Sequence, residues 1–180
     1  RSKDRVPTAM MAEYYAQRAS AGLIIAEATV ISEQANGYLN TPGLFNQAQV
    51  EGWKLVTDAV HAKGGLIVSQ LWHVGRVSHP DLLDGATPVS ASNVQQAGYV
   101  SLLRPKREYV VPRALEIAEI HAITQQYKQA AIYAKEAGFD GVEVHAVHEG
   151  YLLDQFAIEF FNKRTDEYGG SFENRYRFAA

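Results

Sequence analysis

Three times along this chain an amphipathic helical stretch runs into a glycine and then into a short, unbroken apolar run. That repeat decides the fold class before composition is considered. Residues Pro7 to Ser20 read as a helix stopped at Gly22, followed by Leu23-Ile24-Ile25-Ala26 as a buried strand. Asn46 can cap a second helix with Val50, Trp53, Val56 (or Thr57) and Val60 on its apolar face, and Gln49 stands at the capping-box spacing. Lys63 and Gly64-Gly65 close that helix ahead of a strand from Leu66 to Leu71. Ile120, Ile123, Tyr127, Ala130 and Ala134 mark one face of a third helix; Gly138 ends it, and Asp140 to His145 forms the third strand. Apolar strands alternating with amphipathic helices form a parallel sheet covered by helices, so the class is α/β.

The interval between the second and third strands holds an irregular stretch from Val77 to Pro112, with prolines at 80, 88, 105 and 112. It reads as a decorated loop after a strand, carrying a short hairpin. Each strand exits into polar or ring-bearing residues: Glu27-Ala28-Thr29, Gln70-Leu71-Trp72-His73, and His145-Ala146-Val147-His148. In parallel α/β folds, chemistry sits at these carboxyl ends. Closing a (β/α)₈ barrel takes about 200 to 250 residues, more than the 180 present. With Arg1 at the start and a helical pattern at the end, the chain reads as one domain, 1–180, cut from a longer protein at both ends.

Composition narrows the function. A net charge of −3 with no basic cluster gives no footprint for nucleic acid, and no apolar run is long enough for a membrane span. With no cysteine there is no thiolate nucleophile or Cys-based metal site, which suits a cytoplasmic protein. Neither a Walker loop nor a Gly-x-Gly-x-x-Gly turn follows any strand.

His145 and His148 stand three apart at a strand exit and admit three readings. They can cap the strand, help bind a metal with recruits such as His73, His79 and Asp154, or aim two donors at one acceptor such as a polarised carbonyl oxygen. Tyr151 is either a packed ring with a satisfied hydroxyl or part of that site. Gln70, read as a buried amide, either bonds a neighbouring strand or meets a flat heterocycle offering donor and acceptor edges. The run Arg164 to Arg175 reads as a turn with Ser171 capping the next helix; no catalytic role follows from it.

Several strings together resemble the flavin-dependent Old Yellow Enzyme family, in its bacterial N-ethylmaleimide reductase branch. They are Met11-Ala12-Glu13-Tyr14-Tyr15, Arg18 to Ile25, Glu27-Ala28-Thr29, Thr41-Pro42-Gly43, Gln70 to Arg76, Pro112-Arg113-Ala114-Leu115, Gly138 to His145 and Arg164 to Arg175. The likeness covers almost the whole chain. It implies an FMN-binding (β/α)₈ TIM barrel of which these residues supply strands 2 to 4. It places Ala28 and Gln70 against the flavin ring system, and His145 and His148 on the carbonyl oxygen of the substrate. Tyr151 matches the proton-donating tyrosine, while Trp72 and Tyr38 fall where the substrate pocket is shaped. The family reads His-x-x-His (or Asn)-Gly-Tyr; here Glu149 is extra, adding up to about 3.5 Å of chain before Tyr151.

The resemblance therefore implies an oxidoreductase that uses NAD(P)H and FMN to reduce the C=C bond of an α,β-unsaturated carbonyl compound. Two alternatives stand beside it: a non-catalytic fragment or decayed copy of such a barrel, and a metal-dependent barrel hydrolase.

Overall fold

The computed structural model describes residues 4–146 and 150–180. In chain order its elements are α1 (Ala9–Ala16), β1 (Ile24–Ile25), β2 (Thr29–Val30), α2 (Gln47–His61), β3 (Ile67–Trp72), β4 (Val89–Ser90), β5 (Arg113–Ala114), α3 (Ile117–Glu136), β6 (Gly141–Val144), α4 (Leu152–Ala157) and α5 (Phe172–Tyr176), with a 3₁₀ turn at Pro80–Leu82. They fall into two units. The first holds Arg1–Ser32, Asn40–Trp72 and Gln125–Val144; the second holds Glu33–Leu39, His73–Thr124 and His145–Ala180.

The sheet of the first unit is built on β3, and all its pairings are parallel. Val68 pairs with both Ile25 and Gly141, and Leu71 with both Thr29 and Val144. A residue has two edges, so β1 and β2 share one side of β3 while β6 takes the other. The step from Ile25 to Thr29 is one residue longer than the step from Val68 to Leu71 opposite it. The first strand is thus interrupted by a bulge over 26–28 and resumes as β2, a feature the apolar run Leu23 to Ala26 does not announce. Spatial order follows chain order, as consecutive βα units require.

Local chemistry explains the helices. Asn46 Oδ1 accepts the Gln49 amide at 3.0 Å, as the sequence predicts. Gln49 does not complete the box on Asn46, however; its Oε1 takes the amide of Phe45, one residue earlier, at 2.8 Å. Val50, Trp53, Val56, Thr57 and Val60 form the buried face of α2. The Trp53 ring lies 5.1 Å from Phe139 and its indole N–H donates to the Gly43 carbonyl. The Gly65 amide returns to the Val60 carbonyl after Gly64 turns at φ 75°, closing the helix where the glycine pair stands. Helix α1 is shorter than the Pro7–Ser20 expectation. Thr8 caps it, and beyond Ala16 the amides of Arg18, Ala19 and Ala21 bond three residues back, tightening the chain out of the α-helix. At the third strand Asp140 stays outside β6: its carboxylate takes the Ile67 amide at 2.8 Å and faces His61 Nε2 at 3.0 Å.

In the second unit β4 and β5 pair in parallel, Val89 with Arg113 and Ser90 with Ala114. The short hairpin expected between Val77 and Pro112 lies between these strands: Tyr99 and Glu108 bridge antiparallel, the Val100 amide donates to the Arg107 carbonyl and the Tyr109 amide to the Gly98 carbonyl. The chain between β4 and β5 is long enough for the crossover that their parallel pairing needs. The charged run near the C-terminus is a packing hub. Arg164 grips Asp166 with two nitrogens and donates to the carbonyls of Ala91 and Leu115. Buried Asn162 donates to the carbonyls of Phe156 and Tyr168, and Ser171 caps α5 through the Asn174 amide. Among the described residues no helix is long and apolar enough to cross a membrane.

Candidate functional site

Three of the residues singled out by sequence meet in the second unit. The hydroxyls of Tyr38 and Tyr151 are 2.9 Å apart, although 113 positions separate them. The His145 ring stands edge-on to the Tyr151 ring, centroids 5.0 Å apart. Tyr151 is buried, with 6% of its surface exposed, whereas Tyr38 is half-buried. His148, together with the extra Glu149, lies outside the described residues.

Tyr151 is held by its backbone, leaving its phenol for other work. It is the N-cap residue of α4 yet makes no side-chain cap. Asp154 instead ties down the chain before the cap, taking the Gly150 amide on its carboxylate at 3.0 Å. The geometry repeats that of α2, where the third helical residue also reaches the amide before the cap. Gln155, fully buried, then locks the turn: its Nε2 donates to Gly150 O (2.7 Å) and Val74 O (3.1 Å), and its Oε1 accepts the Arg76 amide (3.1 Å). Gly75 sits at φ 61°, and a Cβ there would overlap the Gln155 carboxamide. The Leu152 amide closes the clamp on the His73 carbonyl. Sequence reasoning missed Gln155; a polar amide in the run Leu152-Leu153-Asp154-Gln155-Phe156 was its signal.

The metal recruits are each occupied by backbone. His73 Nδ1 takes the Gly75 amide, His79 Nδ1 takes the Asp81 amide, and Asp154 takes Gly150. Burial pushes the His73 imidazole down to about 3, so it is neutral near pH 7, with its proton on Nε2. Arg76 is buried too, donating to the Val94 carbonyl and stacking over the Phe161 ring at 3.9 Å.

Ala28, Gln70 and Trp72 belong to the first unit. Ala28 lies in the bulge between β1 and β2, opposite the Ser69-Gln70 stretch of β3. Trp72 is buried at the end of β3, paired with Val30. Gln70 departs from the reading of a buried amide: it is half-buried, and its Nε2 donates to Glu143 Oε1 at 2.5 Å on β6. A strand bordered on both sides by parallel partners still turns alternate side chains to the solvent-reachable face. The bond to a neighbouring strand is one of the two alternatives for Gln70, and it leaves the carboxamide reachable from outside.

The whole chain, residues 1–180, matches the model of the NADH:flavin oxidoreductase / NADH oxidase family. The chain belongs to that family. It is 50% identical over 178 residues to 12-oxophytodienoate reductase 7 of Oryza sativa subsp. japonica, covering 96% of this chain and 45% of that protein. The structure of the old yellow enzyme homologue from Zymomonas mobilis superposes with a TM-score of 0.95 at 49% identity, over 99% of this chain and 50% of the other. Morphinone reductase in complex with tetrahydroNAD gives 0.94 at 52% identity, over 99% and 51%. The chain thus spans about half the length of the flavin oxidoreductases it matches, and it is an α/β part of an Old Yellow Enzyme fold.

Proposed function

We propose that the whole protein is an FMN-dependent ene-reductase, with NAD(P)H as reductant and an α,β-unsaturated carbonyl compound as substrate, working in the cytoplasm where that reductant is supplied. In this reading β1 with β2, then β3, then β6 are the second to fourth strands of a (β/α)₈ barrel. The observation that carries the reading is the buried phenol of Tyr151 beside an imidazole and a second phenol, in a chain of a flavin oxidoreductase family. The donor set of the first unit fits a flavin. The half-buried carboxamide of Gln70 offers a donor and an acceptor to a polar ring edge, and Ala28 carries only a methyl, which a flat ring can approach closely.

FMN, when bound, supplies the hydride that NAD(P)H delivers and the β-carbon of the enone receives. The chain's own residues manage charge and proton. His145 and His148 donate to the carbonyl oxygen, whose negative charge is larger in the transition state than in the ground state, so their hydrogen bonds accelerate the reaction rather than merely tighten binding. Tyr151 then gives its hydroxyl proton to the α-carbon as general acid. A phenol kept out of water suits that role. Tyr38 shapes the pocket for the substrate.

The experiment uses the full-length protein, purified and scanned for flavin absorbance, then mixed with NADPH and 2-cyclohexen-1-one. A yellow protein that consumes the enone and yields the saturated ketone supports the reading. A colourless protein, or a yellow one that oxidises NADPH and NADH without touching the enone, refutes it.

A further inference from the structure

If Tyr151 gives up its proton in each turnover, that proton must be replaced, and the residue has almost no surface through which water can deliver it. We propose that Tyr38 is the relay that reprotonates Tyr151, carrying protons from solvent through a chain of two phenols. The inference rests on the ene-reductase reading and adds to it a duty distinct from lining the pocket. Its basis is the hydroxyl-to-hydroxyl distance of 2.9 Å, within reach of direct proton transfer, combined with the unequal exposure of the two residues. Tyr38 sits on the segment Glu33–Leu39, between Gly37, which cannot carry a Cβ without striking Val74 and Val77, and exposed Leu39.

The groups around the pair leave the same route. His145 faces the Tyr151 ring by its edge. Tyr109 is near enough to Tyr38 to feel its charge, but it is buried, and burial above all, with Tyr38 adding to it, raises its pKa, so it holds its own proton tightly. Of the three phenols, Tyr38 is the one both in contact with Tyr151 and partly exposed. The bookkeeping is complete within these groups. The Tyr151 O–H bond breaks as its proton joins the α-carbon, which carries the electron pair left by hydride addition at the β-carbon. The Tyr38 O–H bond breaks as its proton moves to the Tyr151 oxygen. A water then gives a proton to the Tyr38 oxygen and leaves as hydroxide, so the hydrogen on the α-carbon derives from solvent.

Tyr38→Phe in the full-length holoenzyme keeps the ring and removes the relay. The rate of enone reduction at saturation should fall about tenfold or more, a share of what general acid catalysis contributes. The enone concentration at half-saturation should stay within about twofold, and flavin reduction by NAD(P)H and FMN content should not change. In wild type, the rate measured in mixtures of H₂O and D₂O should need two protons in flight; in Tyr38→Phe, one. A readout independent of turnover is the ¹³Cζ resonance of labelled Tyr151 in the full-length protein. Its phenolate should form at higher pH in Tyr38→Phe, because the hydroxyl that stabilises it is gone. A loss confined to enone affinity, an unchanged saturated rate, or an unmoved Tyr151 titration would overturn the relay while leaving the ene-reductase reading intact. A wild-type protein inert toward the enone would overturn both.

Discussion

Gln70 uses the nitrogen end of its carboxamide on Glu143 and keeps a surface that an incoming ring can meet. Replacing it by leucine removes the polar face and strips Glu143 of its partner. In the full-length protein Gln70→Leu should weaken FMN binding by about 1 to 3 kcal/mol, the cost of leaving polar groups unpaired. Fluorescence titration of the apoprotein with FMN reads this directly; unchanged affinity would remove Gln70 from the cofactor site. The site's individual residue types were legible in the sequence, because histidine, tyrosine and glutamine are conspicuous at strand exits. Their partners were not. No local pattern joins Tyr38 to Tyr151 across 113 positions, or Gln155 to the loop at Gly75; such pairs are made only by the fold.

Elements tell a similar story. Helix α2 could be read residue by residue, since its apolar period, its asparagine cap and its glycine stop agree with one another. The bulge over 26–28 and the parallel β4–β5 pair could not, because two-residue strands carry no period and their pairing depends on distant chain. One junction between elements has a measurable consequence. Arg113 on β5 forms a two-pronged pair with Glu119 in the first turn of α3, both contacts 2.7 Å, and the same carboxylate takes the Glu116 amide. The Arg113 guanidinium, above all, holds the Glu119 carboxyl down at about 2, against an ordinary 4.5. A carboxyl depressed by folding stabilises the folded state above its unfolded pKa, and that contribution is lost as pH falls from about 4.5 toward 2. The pair is partly open to solvent, so the effect is small. Urea unfolding at a series of pH values should show a shallower acid loss in Glu119→Gln than in wild type. Parallel curves would mean that the pair does not order this junction.

At the scale of the molecule, the sheet of the first unit ends on exposed apolar strands. Val142 and Val144 of β6 are 42% and 46% exposed, and Ile25 of β1 is 47% exposed. Among the described residues no strand pairs with the far edge of β6. Open edges with apolar side chains invite pairing with other chains, and the matched flavin oxidoreductases are about twice as long. Residues 1–180 expressed alone should therefore self-associate, retain little FMN and reduce no enone. Size-exclusion chromatography with flavin absorbance tests this; a monodisperse, yellow, active monomer would show that further strands are not needed.

On the ene-reductase reading, the groups at the third strand exit act on the substrate and not on the reductant. Stopped-flow measurement of the two half-reactions in full-length His145→Ala separates these directly. Flavin reduction by NAD(P)H should keep its rate while reoxidation by the enone slows about 100-fold or more, the weight of one donor to a developing oxyanion. Reoxidation at the wild-type rate, or an equal loss in both half-reactions, would contradict it.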